Sequence, residues 1–449
     1  MKETPADSES APAPGPSAGP DRSAGPPRDL YAGFRALRHR NFRLFFGGQL
    51  ISLIGTWMQN VAQAWLVYRL TNSAVLLGLV GFASQIPVFP LAPIGGIVAD
   101  RFPKRYVVVA TQSSSMILAF LLAWLTLANR IRVWEIILLA TLLGMVSAFD
   151  IPARQSFFAE MVGKGDLQSA IGLNSTIFNG ARVIGPAIAG LLVARIGEGR
   201  CFLLNGVSFI AVIVALMAMR VDDRAGSTTG RAALQDALEG FRYALGSPTV
   251  LSLLLLIALV SVVGVPYSVL MPIFADRILH GGARALGLLM GATGVGAILG
   301  ALTLTMWRGV RGLGRVVAVS AGGFGAALIL FSFSRNFWLS LILLMPVGYS
   351  IMLQSAATNT LLQSMAPDHL RGRVMALYSM MFMGMVPFGS LGAGFTASRL
   401  GAPITVALGG AACMMGAFVF ARRLPGMRHE ALEMLRASGA ITGEDAASD

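Results

Sequence analysis

Four ionisable side chains stand out because their surroundings are almost entirely apolar. Asp150, Arg154 and Glu160 fall within one hydrophobic stretch, and Arg182 within the next. A carboxylate paired with a guanidinium can take up and release a proton: the pair is tight while both are charged, and protonating the acid loosens it. An arginine deep in an apolar span is costly, so it needs a partner and marks a functional position by default. The two stretches turn near residues 163–165. Counted from that turn, Asp150 is about thirteen residues away and Arg182 about seventeen, a depth difference of ~6 Å at helical rise. These depths predict an Asp150–Arg182 pair, either as a proton-coupling element or as a tether between helices. Asp150, Arg182, Arg154 and Glu160 are thus the proton-coupling candidates. No residues have the spacing of an enzyme centre. His39, His280, His369 and His429 are scattered, Cys201 and Cys413 are the only cysteines, and no GxxxxGK[ST] loop occurs. The expectation is no catalytic residue, no metal and no cofactor.

The elements that must hold these residues follow from composition. The chain has 449 residues, 55% hydrophobic and 13% charged, against about 25% charged in soluble proteins. Apolar stretches of about 20 residues read as membrane-spanning helices, and no alternating barrel pattern is present. Twelve spans are expected, at 42–70, 74–99, 106–128, 133–161, 168–196, 200–219, 248–277, 285–307, 314–334, 336–363, 372–399 and 402–421. This divides the chain into a Pro/Ala/Ser/Gly-rich tail (1–33), a six-helix half (34–220), a linker (221–247), a second half (248–423) and a C-terminal tail (424–449). Residues 233–245 in the linker read as a short amphipathic surface helix. The net charge of +13 comes from arginines dispersed among short loops, which excludes a nucleic-acid-binding domain. Positive charges concentrate on one side, at Arg35, Arg38, Arg40, Arg43, Arg101, Lys104, Arg105, Lys164, Arg220, Arg224, Arg231 and Arg242, and then at Arg308, Arg311, Arg315, Arg371, Arg373, Arg422 and Arg423 in the second half. That side is expected to be cytoplasmic, with both termini there.

The halves are related. A shift of 204 residues pairs Gly144 with Gly348, Gly180 with Gly384, Gly185 with Gly389 and Gly190 with Gly394, in one register across two spans and a loop. Parallel repeats of this kind build secondary transporters with a site near the midplane. The same shift sets Asp150 on Gln354, so interior charge is concentrated in the first half. In span one, Gln49, Thr56, Asn60 and Gln63 share a helical face, which suits either a cavity lining or interhelical hydrogen bonds. Gln354 and Asn359 are the corresponding cavity candidates in the second half. Pro87, Pro90 and Pro93 predict a bent second span.

Two motifs carry a family likeness. The charged turn from Gly96 to Arg105 reads GIVADRFPKR, with Gly96, Asp100, Arg101, Lys104 and Arg105 in place. It resembles the loop signature of the major facilitator superfamily, with Pro103 replacing the second glycine. Taken alone it could be a topology-setting basic loop. Span five reads GLNSTIFNGARVIGPAIAG, with Gly172, Ala181, Gly185, Pro186, Ala189 and Gly190. It resembles the antiporter signature of drug-exporting facilitators, against the plainer reading of Gly-rich helix packing. With AFDIPARQSFFAEMV from Ala148, these runs are similar to the transmembrane secretion effector branch, which includes enterobactin and macrolide exporters. The chain departs from the superfamily's span-four pattern at Ala140 and Leu143, where an arginine and a glutamine are usual.

The resemblance implies an all-α membrane protein with the major facilitator fold, twelve transmembrane helices in two pseudo-symmetric six-helix halves. It implies a monomer of the bacterial inner membrane, not an enzyme, whose partners are protons, membrane lipid and a small-molecule substrate. Sparse interior charge points to an uncharged or amphipathic compound, exported by proton antiport. An uptake symporter for a metabolite or lysolipid, and a non-transporting membrane sensor, are the alternatives.

Overall fold

A computed structural model describes residues 32–220 and 241–437, apart from Arg308, Arg311 and Asp368. Both distal tails and most of the linker, including 233–240 of the expected amphipathic helix, lie outside the described residues. Among the described residues the regular structure is all helical: α1 (Arg40–Thr71), α2 (Ala74–Arg101), α3 (Lys104–Leu127), α4 (Val133–Gly163), α5 (Gly165–Ile196), α6 (Glu198–Met217), α7 (Pro248–Ile278), α8 (Gly282–Met306), α9 (Leu313–Phe333), α10 (Phe337–Met365), α11 (Arg371–Leu400) and α12 (Ala402–Ala437). Each begins within three residues of its expected start. Among the described residues, eleven are long and apolar enough to cross a bilayer. The exception is α1, whose 32 residues are ample but whose apolar character Gln49, Gln59, Asn60 and Gln63 dilute.

Local chemistry sets the ends. Ser73 and Ser247 cap α2 and α7 by accepting from the backbone N–H three residues on, and Asn336 accepts from two N–H groups of α10. The α4–α5 turn is a single residue, Gly163, at φ 71°, where glycine avoids the left-handed penalty of other residues. The helix breaks have causes too. α2 is interrupted at Ile86–Pro87, as its prolines predict. α11 is interrupted at 383–385, beside Gly384 and Pro387. α7 holds two π-helical turns, Val260–Gly264 and Phe274–Ile278, which often mark functional positions. At the C-terminal end, α12 runs through the boundary expected at 424. Its extension is held by Glu430, which accepts hydrogen bonds from Ser247 and Thr249 at the start of α7, at 2.7 and 2.6 Å.

The buried apolar residues divide unevenly along the bundle. The loops α2–α3, α4–α5 and α10–α11 mark the basic end; the loops α1–α2, α3–α4 and α7–α8 mark the far end. Toward the far end, one continuous core joins Leu66, Val67 and Ala189 of the first half to Phe274, Leu286 and Leu289 of the second. Toward the basic end there are two separate cores. One holds Phe42, Val108, Phe157 and Leu173; the other holds Leu253, Val317, Leu362 and Val374. The helices converge at one end and part at the other.

Candidate functional site

Two glycine crossings make the convergence possible. On α5 and α8, a Cβ at Gly190 would lie 2.7 Å from Gly287 Cα, and one at Gly287 would lie 2.5 Å from Gly190 Cα. On α2 and α11, a Cβ at Gly78 would lie 3.0 Å from Gly394 Cα. All four glycines lie within about two turns of the far end, at 3.6 residues per turn. Toward the basic end such crossings between the halves stop: a Cβ at Gly172 or Gly180 of α5, Gly96 of α2 or Gly372 of α11 would meet open space. The antiporter-type span thus divides. Ala181 is fully buried, Gly185 abuts Trp57 and Ile54 of α1, and the Pro186 carbonyl and Gly190 meet α8. Ala189 is fully buried in the far-end core. Gly172 closes no contact. In the charged turn the close approach is at Gly95, whose missing Cβ makes room for the Ala148 carbonyl, while a Cβ at Gly96 would meet open space.

The acid–base pair differs from expectation. Asp150 is buried, but its partner is Arg154, one turn along α4, with Arg154 Nε 3.2 Å from Asp150 Oδ2. Thr111 Oγ1 and Gln112 Nε2 of α3 donate to Asp150 Oδ1 at 2.8 and 2.9 Å. Arg182 instead sets its guanidinium over the Trp57 ring, 6.0 Å from the centroid. The depth count fixed height along the axis but not azimuth. Asp150 faces α3, whereas α5 turns its interior faces toward α1 and α8. Glu160, grouped with the coupling residues by sequence, belongs to the charged turn: it forms a short ion pair with Lys104. Arg105 donates to the Met217 carbonyl at the end of α6, at 2.8 Å, and Arg101 and Asp100 lie exposed at the end of α2. The basic end of the first half is further tied by His39 to Asp166 at 2.8 Å.

The comparisons with known proteins agree with this architecture. The family model described as transmembrane secretion effector matches residues 31–439. The chain belongs to that family, a branch of the major facilitator superfamily. It is 28% identical over 387 residues to the Staphyloferrin A transporter of Staphylococcus aureus, covering 85% of this chain and 96% of the relative. It is 26% identical to the multidrug efflux pump Tap of Mycolicibacterium fortuitum, covering 77% and 87%, and 26% identical to the enterobactin exporter EntS of Shigella boydii, covering 76% and 81%. The D-xylose-proton symporter has the same fold, with a TM-score of 0.65 at 14% identity over 87% of this chain and 97% of that one. The nucleoside transporter NupG matches at 0.62 and 16%, over 86% and 98%. The protein is a multi-pass membrane transporter and not an enzyme.

In this transporter the polar stripe on α1 does not share one environment. Gln49 and Gln63 are buried, Thr56 is half-buried and donates to the Ser52 carbonyl, and Asn60 is exposed. On α10, Gln354 is fully buried, with no protein partner for either side-chain polar atom, while Asn359 accepts from Gln363. Several contacts escaped sequence reasoning. Asn205 Nδ2 of α6 donates to Gln59 Oε1 at 2.7 Å. Arg69 reaches Glu198 with two hydrogen bonds at the far end. Tyr68 of α1 donates to Asp276 Oδ2 of α7 at 3.1 Å, a bond between the two halves. Gln59 was visible as a polar residue in a span, but only the packing distinguishes its face from that of Asn60.

Proposed function

We propose that this transporter is a proton-coupled exporter of small amphipathic organic compounds, such as drugs, siderophores or secondary metabolites. It works by alternating access between two related six-helix halves, with both termini cytoplasmic in a bacterial inner membrane. The observation that carries the reading is the shared core at the far end and the divided cores at the basic end: a closed exit and an open entrance.

The relation between halves is supported by what the paired glycines touch. Gly144 of α4 makes room for α2, and Gly348 of α10 for α8; Gly185 of α5 abuts α1, and Gly389 of α11 abuts α7. Gly190 crosses α8 and Gly394 crosses α2. Each contact maps onto its partner when helix numbers shift by six. In this scheme Lys104, Glu160 and Arg105 stabilise the first half's cytoplasmic end. Asp150 and Arg154 carry the proton, because the acid is buried beside a cation that its protonation would release. Thr56 and Asn60 line the pathway. Export is favoured by the relatives named as a multidrug efflux pump and an enterobactin exporter.

Reconstituted protein, energised by a pH gradient, should move protons when candidate substrates are added. A strain lacking it should become drug-sensitive or retain metabolite. Proton flux that no amphipathic compound stimulates would reject the proposal.

A further inference from the structure

Arg182 is in no ion pair among the described residues. It is about seventeen residues, or ~25 Å, along α5 from the basic end, and half-buried. A guanidinium at that depth is costly unless it pairs with an anion or faces a water-filled cavity. Its surroundings are aromatic. The guanidinium lies over Trp57, and Phe178, one turn back on α5, meets the same ring edge-on at 5.7 Å and 70°. Next to Arg182, Val183 packs on Gly294 of α8, where a Cβ would lie 2.6 Å from Val183 Cγ2. Helices of both halves, α1 and α5 with α8, therefore meet here.

The position is reachable. At 100° per residue, Ile171, Ser175, Phe178 and Arg182 fall on one stripe of α5. The stripe lies between the side that meets α1 (Ala181, Gly185) and the side that meets α8 (Pro186, Gly190). Ile171, Ser175 and Phe178 are exposed, so the stripe runs from the open basic end to the guanidinium.

We propose that Arg182, Trp57 and Phe178 form the substrate seat, and that it takes a small organic anion with a planar apolar body, such as an aromatic carboxylate. The guanidinium supplies a two-pronged donor that matches a carboxylate, and the two rings supply flat apolar surface. This rests on the transporter reading and narrows its substrate class. Of the uncharged or amphipathic compounds expected from the sparse interior charge, it selects an amphipathic anion.

The test uses the full chain in nanodiscs of phosphatidylcholine and two probes of one shape, 2-naphthoate and its neutral amide, with binding followed by calorimetry. Naphthoate should bind about tenfold or more tighter than the amide, the value of hydrogen bonds to a charged group. Arg182→Gln should erase the preference, Arg182→Lys should keep part of it, and Trp57→Ala should weaken both probes. Equal binding of the two probes by the native protein overturns the proposal. So does no naphthoate binding up to about 1 mM, or a preference retained in Arg182→Gln. If Arg182→Gln does not fold, the native protein's probe ratio and Arg182→Lys still decide. Loss of naphthoate binding in discs containing phosphatidylglycerol would assign the seat to lipid phosphate and overturn it too. Proton flux driven by a neutral amphipath and unchanged by Arg182→Gln would sink the anion seat while leaving the exporter intact.

Discussion

Alanine at Gly287 should drive the two halves apart at the far end. Its methyl would lie 2.5 Å from both Gly190 Cα and the Pro186 carbonyl oxygen, where carbon contacts need about 3.5 Å. The obstruction is backbone, so no rotamer change relieves it, and α5 and α8 must separate by ~1 Å. Overpacking of this kind costs about 1–3 kcal/mol. The cost falls on the state in which the far ends touch, which shifts a two-state balance about 5–150-fold toward the state in which they part. Gly291→Ala on the same helix is the control, because its nearest neighbour would be 3.7 Å away. The reporter is Ala397→Cys on α11, 7% exposed and one turn from Gly394. The native Cys201 and Cys413 are both buried, which keeps background low. Labelling by a membrane-impermeant maleimide should accelerate about fivefold or more in Gly287→Ala and stay unchanged in Gly291→Ala. Equal rates in both folded variants would show that the Gly190–Gly287 crossing does not hold the far end closed.

Three further outcomes follow from the polar contacts. Asp150→Asn leaves Arg154 without its counter-charge and should lower stability by about 1–3 kcal/mol and abolish proton-driven transport. In thermal melts, Asp150→Asn with Arg154→Gln should be less destabilised than Asp150→Asn alone. Tyr68→Phe removes the donor to Asp276 and should raise far-end labelling about 3–15-fold, the value of one such bond in a membrane; Asp276→Asn, which keeps an acceptor oxygen, should change it less. Lys104→Glu should slow transport through repulsion from Glu160, and the reversed pair Lys104→Glu with Glu160→Lys should restore most of the rate, at a stability change of about 0–1 kcal/mol.

The spans were readable because membrane insertion requires long apolar runs, and the proline and glycine positions marked the α2 break and the Gly163 turn. Glycines at 185 and 190 were recognisable as a packing signature, yet which helix each meets depends on azimuth. The same limit misassigned Arg182 to Asp150: residues on neighbouring helices at equal depth can face opposite ways. Glu160 sat with Asp150 in sequence but three turns nearer the loop, where Lys104 reaches it. Tyr68 and Asp276 are 208 positions apart, and nothing in either local sequence links them. Their contact exists only because the halves close at the far end.

Alternating access requires that the two ends of the bundle open in turn. Spin labels at Phe102 and Met306, 56% and 81% exposed at the basic end, report on one end, and labels at Arg130 and Arg335, exposed in far-end loops, report on the other. Distances measured by electron–electron double resonance, with and without a pH gradient and substrate, should change in opposite directions: the basic pair shortens as the far pair lengthens. Two pairs that widen together, or a far pair that never moves under transport conditions, would contradict the account.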